Sequence, residues 1–92
     1  MIVKNARIRL YAPICHSLKE KRMVLKSILA KVKNKFNVSA AEVDDLDLHQ
    51  SIIIGIACVS NSAIVCDNLI SEVIKFIDNN FEAEIVNIDY EV

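Results

Sequence analysis

The stretch from Ile52 to Val59 contains only apolar residues and one glycine, and most of its residues are β-branched. An uncharged run of this length is typical of a strand that is buried on both faces in the middle of a sheet. It is too short to cross a membrane as a helix. The fold therefore has to give this strand a neighbour on each side and a cover on each face.

Upstream of this run the sequence predicts a second strand and a helix. Residues 2–12 alternate between apolar and mainly polar positions, which is the period of a half-buried strand. Ser17 and Glu20 form a capping box, so a helix is predicted over 18–36, with Asn37 as a left-handed residue that ends it. Its apolar positions share one arc of the helix: Leu18, Leu25, Ile28, Leu29, Val32 and Phe36.

Three further elements complete the chain. A short strand is predicted over 38–44, followed by an acidic turn. A second helix has Ser60 or Ser62 as its cap and ends at the Asn pair 79–80. The alternation over 82–91 predicts a final strand at an edge of the sheet.

The order of these elements, βαββαβ, selects an architecture. Two right-handed crossovers joined by a hairpin place both helices on one face of a four-stranded antiparallel sheet. The sequence therefore predicts a single α+β domain over residues 1–92 with a ferredoxin-like fold. Its central strands are those at 2–12 and 52–59.

The second face of this sheet predicts self-association. Two helices cover only one face, so apolar residues on the other face need a further cover. A dimer is the commonest assembly of soluble homo-oligomers. One candidate function is therefore a regulatory or oligomerisation domain. The candidate interface residues are Tyr11, Ile53, Ala57 and Val59.

The net charge of −1 conceals an uneven distribution of charge. Residues 1–36 hold ten of the eleven Lys and Arg residues, and residues 37–92 hold eleven of the twelve acids. Two interpretations are open: a basic surface for an anionic partner, or two halves of one domain that attract each other.

Basic residues on the first helix form a stripe beside its apolar arc: Lys19, Arg22, Lys26 and Lys33. Such a stripe matches the spacing of phosphates along a nucleic acid, although lysines on a solvated face can also serve solubility alone. Base stacking on the central strands is disfavoured, because Tyr11 is the only aromatic residue there. The stripe makes a non-enzymatic module that binds nucleic acid a candidate function.

Lys21 differs from these residues because it lies inside the apolar arc, where a charge requires a partner. Glu42, Asp45 and Asp47 are the candidate carboxylates. The pair is either structural, which we favour, or half of an acid–base site to which His16 at the helix start contributes. An enzymatic or small-ligand site at the sheet end, formed by His16, Lys21, Glu42 and Asp47, is thus the alternative function.

The cysteines and histidines suggest neither a metal site nor a cofactor site. Cys15, Cys58 and Cys66 contain no CxxC pair and are odd in number, which predicts free thiols in a reducing, cytoplasmic compartment. Neither these residues nor the two histidines have the spacing of metal ligands, so no metal or cofactor is expected. No signal peptide or membrane-spanning segment is predicted either.

Two segments of the sequence, 16–22 (HSLKEKR) and 36–43 (FNVSAAEV), resemble the YlxP-like family of small bacterial proteins of unassigned function. The likeness extends almost from end to end. It implies a ferredoxin-like fold and, through the family's gene neighbourhood among transcription and translation factors, a link to RNA or ribosomes. With this link, the leading hypothesis is a non-enzymatic, homo-oligomeric binding module associated with RNA or ribosomes. The family's Asp-x-Trp-Gln segment falls on 47–50. His49 replaces the tryptophan, and Ser51 replaces the basic residue that follows.

Overall fold

The computed structural model describes residues 1–90, which form six elements in the predicted order. The elements are β1 (Ile2–Tyr11), α1 (Leu18–Lys35), β2 (Ser39–Asp44), β3 (Ser51–Ser60), α2 (Ala63–Asn80) and β4 (Glu84–Tyr90). Antiparallel ladders join the strands in the order β2-β3-β1-β4, so β1 and β3 are central, as predicted. The architecture is the ferredoxin-like α+β fold. Of the predicted last strand, Glu91 lies outside the described residues.

The core lies between the sheet and the two helices. Alternate residues of β1 and β3 face the helices and meet in register, with Ile8 opposite Ile54 and Leu10 opposite Ile52. Each of these four side chains is at most 1% exposed, and burying such a side chain stabilises the fold by about 1.5–3 kcal/mol. The helices add one buried stripe each: Leu25, Ile28 and Val32 from α1, and Cys66, Ile70, Val73 and Ile77 from α2. Neither helix has the length and apolar character needed to cross a bilayer.

Both helices begin at a serine cap. The Ser17 hydroxyl accepts a hydrogen bond from the Glu20 N–H at 3.1 Å, and the Ser62 hydroxyl accepts one from the Val65 N–H at 3.4 Å. In the capping box, the Glu20 carboxylate approaches the Ser17 hydroxyl at 3.5 Å. The predicted start of α1 is therefore confirmed.

The predicted end of α1 was wrong in its detail. The helix ends at Lys35, and its C-cap residue Phe36 has an extended backbone (φ −122°). Asn37 is not left-handed, because Asp45 is the only non-glycine residue with positive φ within residues 1–90. The Phe36 ring packs edge-to-face on Phe76 of α2, with 5.5 Å between ring centroids. We attribute the extended exit of the chain to this contact.

Each outer strand carries one residue more than its partner. Val43 is the extra residue in β2, where pairing moves from Glu42–Ile54 to Asp44–Ile53. In β4 the extra residue is Val86, where pairing moves from Arg9–Asn87 to Leu10–Ile85. These β-bulges bend the two edges of the sheet.

Candidate functional site

Lys21 is the only charged residue buried in the core of the described chain, and it is 1% exposed. Its ammonium donates to the backbone carbonyl oxygens of Asp45 at 2.6 Å and Leu48 at 2.8 Å. It also lies 2.8 Å from Oε2 of Glu42. The ammonium therefore has two hydrogen-bond acceptors and one carboxylate counter-charge. We call this set the Lys21 network.

The fold brings the members of the Lys21 network together from three elements. Lys21 is one turn into α1, on the side that faces the sheet. Glu42 pairs with Ile54 in the ladder, and Ile54 belongs to the core side of the sheet, so the Glu42 carboxylate lies on the side of the helices. The left-handed backbone of Asp45 (φ 52°) turns the β2–β3 loop, and the Leu48 N–H donates to the Asp45 carbonyl at 3.0 Å. The loop is thereby fixed on α1.

The ion pair between Lys21 and Glu42 in this network is a structural contact. Within residues 1–90, Glu42 Oε2 is buried and accepts no directed hydrogen bond, so its stabilisation comes from the Coulombic contact with Lys21. Burial of an ion pair is costly unless both partners are satisfied. The predicted partnership of Lys21 with Glu42 is present, whereas Asp45 contributes its backbone carbonyl instead of its carboxylate.

The other residues proposed for a sheet-end site do not join this network. His16 and Asp47 are exposed, and no hydrogen bond or ion pair among the described residues links either of them to Lys21 or Glu42. The Lys21 ammonium is withdrawn from solvent, so a substrate cannot reach it. An acid–base mechanism with all four groups would require them to converge on a shared accessible point.

The basic stripe of α1 is an accessible surface. Its four members are all exposed, and none forms an ion pair or side-chain hydrogen bond with any residue of the described chain. They extend over about 21 Å of helix. A concavity of about 380 Å³ lies among three of them and has an apolar floor of Leu25, Leu29 and Ala30. We call Lys19, Arg22, Lys26 and Lys33 the basic surface.

Two other lysines of α1 are used differently. The Lys31 ammonium lies 5.4 Å from the centroid of the Phe81 ring, and the Lys35 ammonium lies 4.9 Å from that of Phe76. Both are cation–π contacts on the side of α1 that faces α2. Sequence reasoning did not find this cluster, although three phenylalanines at the ends of the helices were a signal for it.

The sheet face without helices, here called the open face, is only partly apolar at its surface. Tyr11 is 44% exposed and Val59 59%, whereas Ile53 is 2% exposed and adds little area to an interface. Gly55 permits a close approach on this face, because a Cβ there would lie 2.8 Å from Cγ1 of Val43. Dimerisation through the open face remains a prediction.

Arg7 and Asp89 form an ion pair on the open face at 3.1 Å. The Arg7 hydrogen bond holds the pKa of Asp89 below its ordinary value.

The cysteines have the character of buried, unreactive thiols. All three are free and buried. Burial raises the pKa of Cys15, and burial together with a hydrogen bond to Cys66 raises the pKa of Cys58 to about 11. A nucleophilic or metal-binding thiol requires a lowered pKa. Within residues 1–90 no three His, Cys, Asp or Glu side chains are grouped to hold a metal ion.

A further concavity, of about 360 Å³, lies at the end of the sheet beside the β2–β3 loop. Its lining residues are Tyr11, Asp47, Leu48, His49, Gln50 and Ser51. We call it the loop concavity. Sequence reasoning missed it, because it depends on the pairing of Tyr11 with Ser51 across two strands far apart in the chain.

Fold and surface together define a small ferredoxin-like α+β protein with a basic helix and a lysine-fixed loop. The family described as protein of unknown function (DUF503) matches residues 3–90, and the chain belongs to this family. It is 48% identical, over 68 residues, to the uncharacterized protein YlxP of Bacillus subtilis (strain 168); the aligned region covers 74% of each chain. The resemblance seen in the HSLKEKR and FNVSAAEV segments is therefore confirmed.

Proposed function

We propose that this protein is a non-enzymatic, cytoplasmic module that binds RNA or ribosomal particles through the basic surface. The observation that carries the proposal is that four exposed cations on one side of α1 have no anionic partner within the described chain. Cations of a merely solubilising surface are commonly interspersed with acids. Here Glu20 is the only acid in α1.

The distribution of ion pairs supports this function. Lys4, Arg7 and Lys21 each pair with an acid, namely Asp67, Asp89 and Glu42. Three cations outside the basic surface are thus neutralised by acids, whereas no acid compensates the charge of the basic surface within the described residues. An RNA strand placed there releases condensed counterions, which drives association and makes it depend on salt.

The test is equilibrium binding of a single-stranded RNA, and of purified ribosomal subunits, as a function of salt. Four phosphate contacts predict a slope of about −3 in a plot of log affinity against log salt concentration, or about a fifty-fold loss between ~50 and ~200 mM salt. Replacement of all four residues of the basic surface by Gln should abolish binding at ~50 mM salt.

A matched variant controls for net charge. It replaces four other cations by Gln: Arg9, Lys31, Lys35 and Lys75. This variant should keep most of the affinity, although it loses the same charge and two of its sites are on α1. Equal losses in both variants, or no binding by the wild type at ~50 mM salt, would exclude the basic surface as an RNA site.

We further propose that the protein forms a homodimer through the open face. Support comes from Val3, Val43 and Val59, which are each 50–59% exposed on or beside the central strands, with Val3 and Val59 paired directly across β1 and β3. Exposed apolar groups clustered in this way mark interaction surfaces. Sedimentation at tens of micromolar protein should detect a dimer, and Val59→Asp should dissociate it. A wild type that is strictly monomeric at that concentration excludes the dimer.

A further inference from the structure

The loop concavity lies at the end of the sheet where α1 begins, and its loop is held in place by the Lys21 network. The Leu48 carbonyl binds the Lys21 ammonium, and the Leu48 side chain lines the concavity and is 55% exposed. Arg22 of the basic surface follows Lys21 in the chain. The start of the basic surface and the loop concavity therefore share one end of the molecule, so an RNA strand on α1 can extend around that end to the concavity.

The loop concavity contains the flat side chains that a nucleobase requires. Tyr11 is 44% exposed at the end of β1, and the His49 ring is exposed on the loop. The three phenylalanines pack in their own cluster at the other ends of the helices. Aromatic rings in a concavity bind unpaired bases by stacking, with little dependence on sequence. A volume of about 360 Å³ is at the low end of small-ligand sites, which suits one base and not an extended chain.

The charge of the concavity decides which part of a nucleotide it accepts. Asp47 lines it, and Asp45 belongs to the same loop, so a phosphate would be repelled. A carboxylate accepts hydrogen bonds from the amino groups of bases. The geometry thus separates the two parts of the ligand: phosphates lie on the basic surface, and a base enters the concavity.

The concavity is also preorganised. The Ser51 hydroxyl donates to the Asp45 carboxylate at 2.7 Å, and the Ala12 N–H donates to the Gln50 carbonyl at 2.9 Å. The loop is fixed at both ends before any ligand arrives, so little ordering entropy opposes binding.

We infer that the loop concavity is a base-binding site, in which Tyr11 and His49 stack on one unpaired, amino-bearing nucleobase of an RNA strand held by the basic surface. This inference rests on the proposed RNA-binding function and gives that function a preference for single strands. In a duplex the bases are paired and stacked on one another, so no base is free to enter this site.

The experiment compares three ligands with three variants. The ligands are an oligoadenylate of about 12 nucleotides, a phosphoribose chain of equal length without bases, and a duplex RNA. Tyr11→Ala should weaken oligoadenylate binding about ten-fold or more and leave binding of the base-free chain unchanged. Tyr11→Phe should retain wild-type affinity. Tyr90→Ala is the matched control, since Tyr90 is 62% exposed and lies outside the concavity.

The possible results separate the two proposals. If Tyr11→Ala binds oligoadenylate like the wild type while the basic-surface variant does not, the base site is wrong and RNA binding stands. The same conclusion follows if Tyr11→Ala weakens the base-free chain equally. If wild-type protein binds none of the three ligands, both proposals are overturned. Circular dichroism of Tyr11→Ala verifies that the variant is folded. If it is not, His49→Ala on the exposed loop replaces it: oligoadenylate binding should weaken, and unchanged binding would overturn the base site.

Discussion

The two helices of this protein are alike in plan and differ at one core position. Each has 18 residues and a serine cap, and each has its buried residues at the fourth, eighth, eleventh and fifteenth positions after that cap. Three of the four positions are apolar in both helices. At the first of them α1 has Lys21 and α2 has Cys66.

This difference shows how two equivalent βαβ units acquire separate tasks. Cys66 completes an apolar core, and its carbonyl accepts a weak hydrogen bond from the Cys58 thiol at 3.8 Å. Lys21 instead reaches a loop of the sheet and fixes it. The unit with the buried lysine also carries the basic surface and adjoins the loop concavity. The α2 unit contributes packing to the fold.

The largest effect that tests this comparison is expected from Lys21→Met. The substitution retains the apolar stem but leaves Glu42 buried without a counter-charge and two carbonyls without their donor. We expect a loss of about 3 kcal/mol in the free energy of unfolding, measured by urea denaturation. Cys66→Ala, at the equivalent position of α2, should cost only about 1 kcal/mol.

Glu42→Gln sharpens the same test. If Lys21 and Glu42 act as a pair, the double variant Lys21→Met/Glu42→Gln should be more stable than Lys21→Met alone, because no buried charge is left uncompensated. If the losses of unfolding free energy in the two single variants add up to the loss in the double variant, Lys21 and Glu42 do not stabilise each other. The ion pair would then not be the source of the difference between the helices.

A smaller effect is expected at the caps, where the helices are alike. Ser17→Ala and Ser62→Ala should each lower the free energy of unfolding by about 1 kcal/mol. The cost at Ser17 should be the greater, because its hydrogen bond is shorter, 3.1 Å against 3.4 Å. Ser71→Ala, at an exposed position within α2, is the control and should be nearly neutral. A greater loss at Ser62 than at Ser17 would contradict this ranking.

The effect that is smallest at neutral pH concerns the Cys58 thiol, which contacts Cys66, because it appears only at alkaline pH. The pKa of Cys58 rises from its ordinary value of 9.0 to about 11 in the folded protein. The unfolded chain therefore ionises first, so the stabilising contribution is complete below 9.0 and disappears as the pH rises through about 11. Urea midpoints between these pH values should fall less steeply for Cys58→Ala than for the wild type. If the urea midpoints of both proteins fall equally with rising pH, groups other than Cys58 cause the loss of stability at alkaline pH.

Most of the fold could be predicted from the sequence because its signals are local. The alternation over 2–12 and the apolar run at 52–59 define the two central strands, and the Ser17 capping box defines the start of α1. Lys21 was also recognisable, since a lysine within an apolar arc needs a buried acceptor. Glu42 followed as a candidate from its place on the next strand.

What could not be predicted depends on contacts between distant parts of the chain. The burial of Ile53, the backbone of Asn37 and the loop concavity all follow from register and packing that no local pattern records. The carbonyl ligands of Lys21 belong to the same class, because a backbone oxygen leaves no trace in the side-chain sequence.

The extra residues Val43 and Val86 have a consequence for the behaviour of the protein at high concentration. An outer strand with a regular ladder is a template on which further chains can add. In β2 the ladder is regular over 39–42 before Val43 interrupts it, and in β4 Val86 interrupts it after 84–85. Within residues 1–90 a foreign strand finds only short regular stretches on either margin, which disfavours the addition of further strands to the sheet.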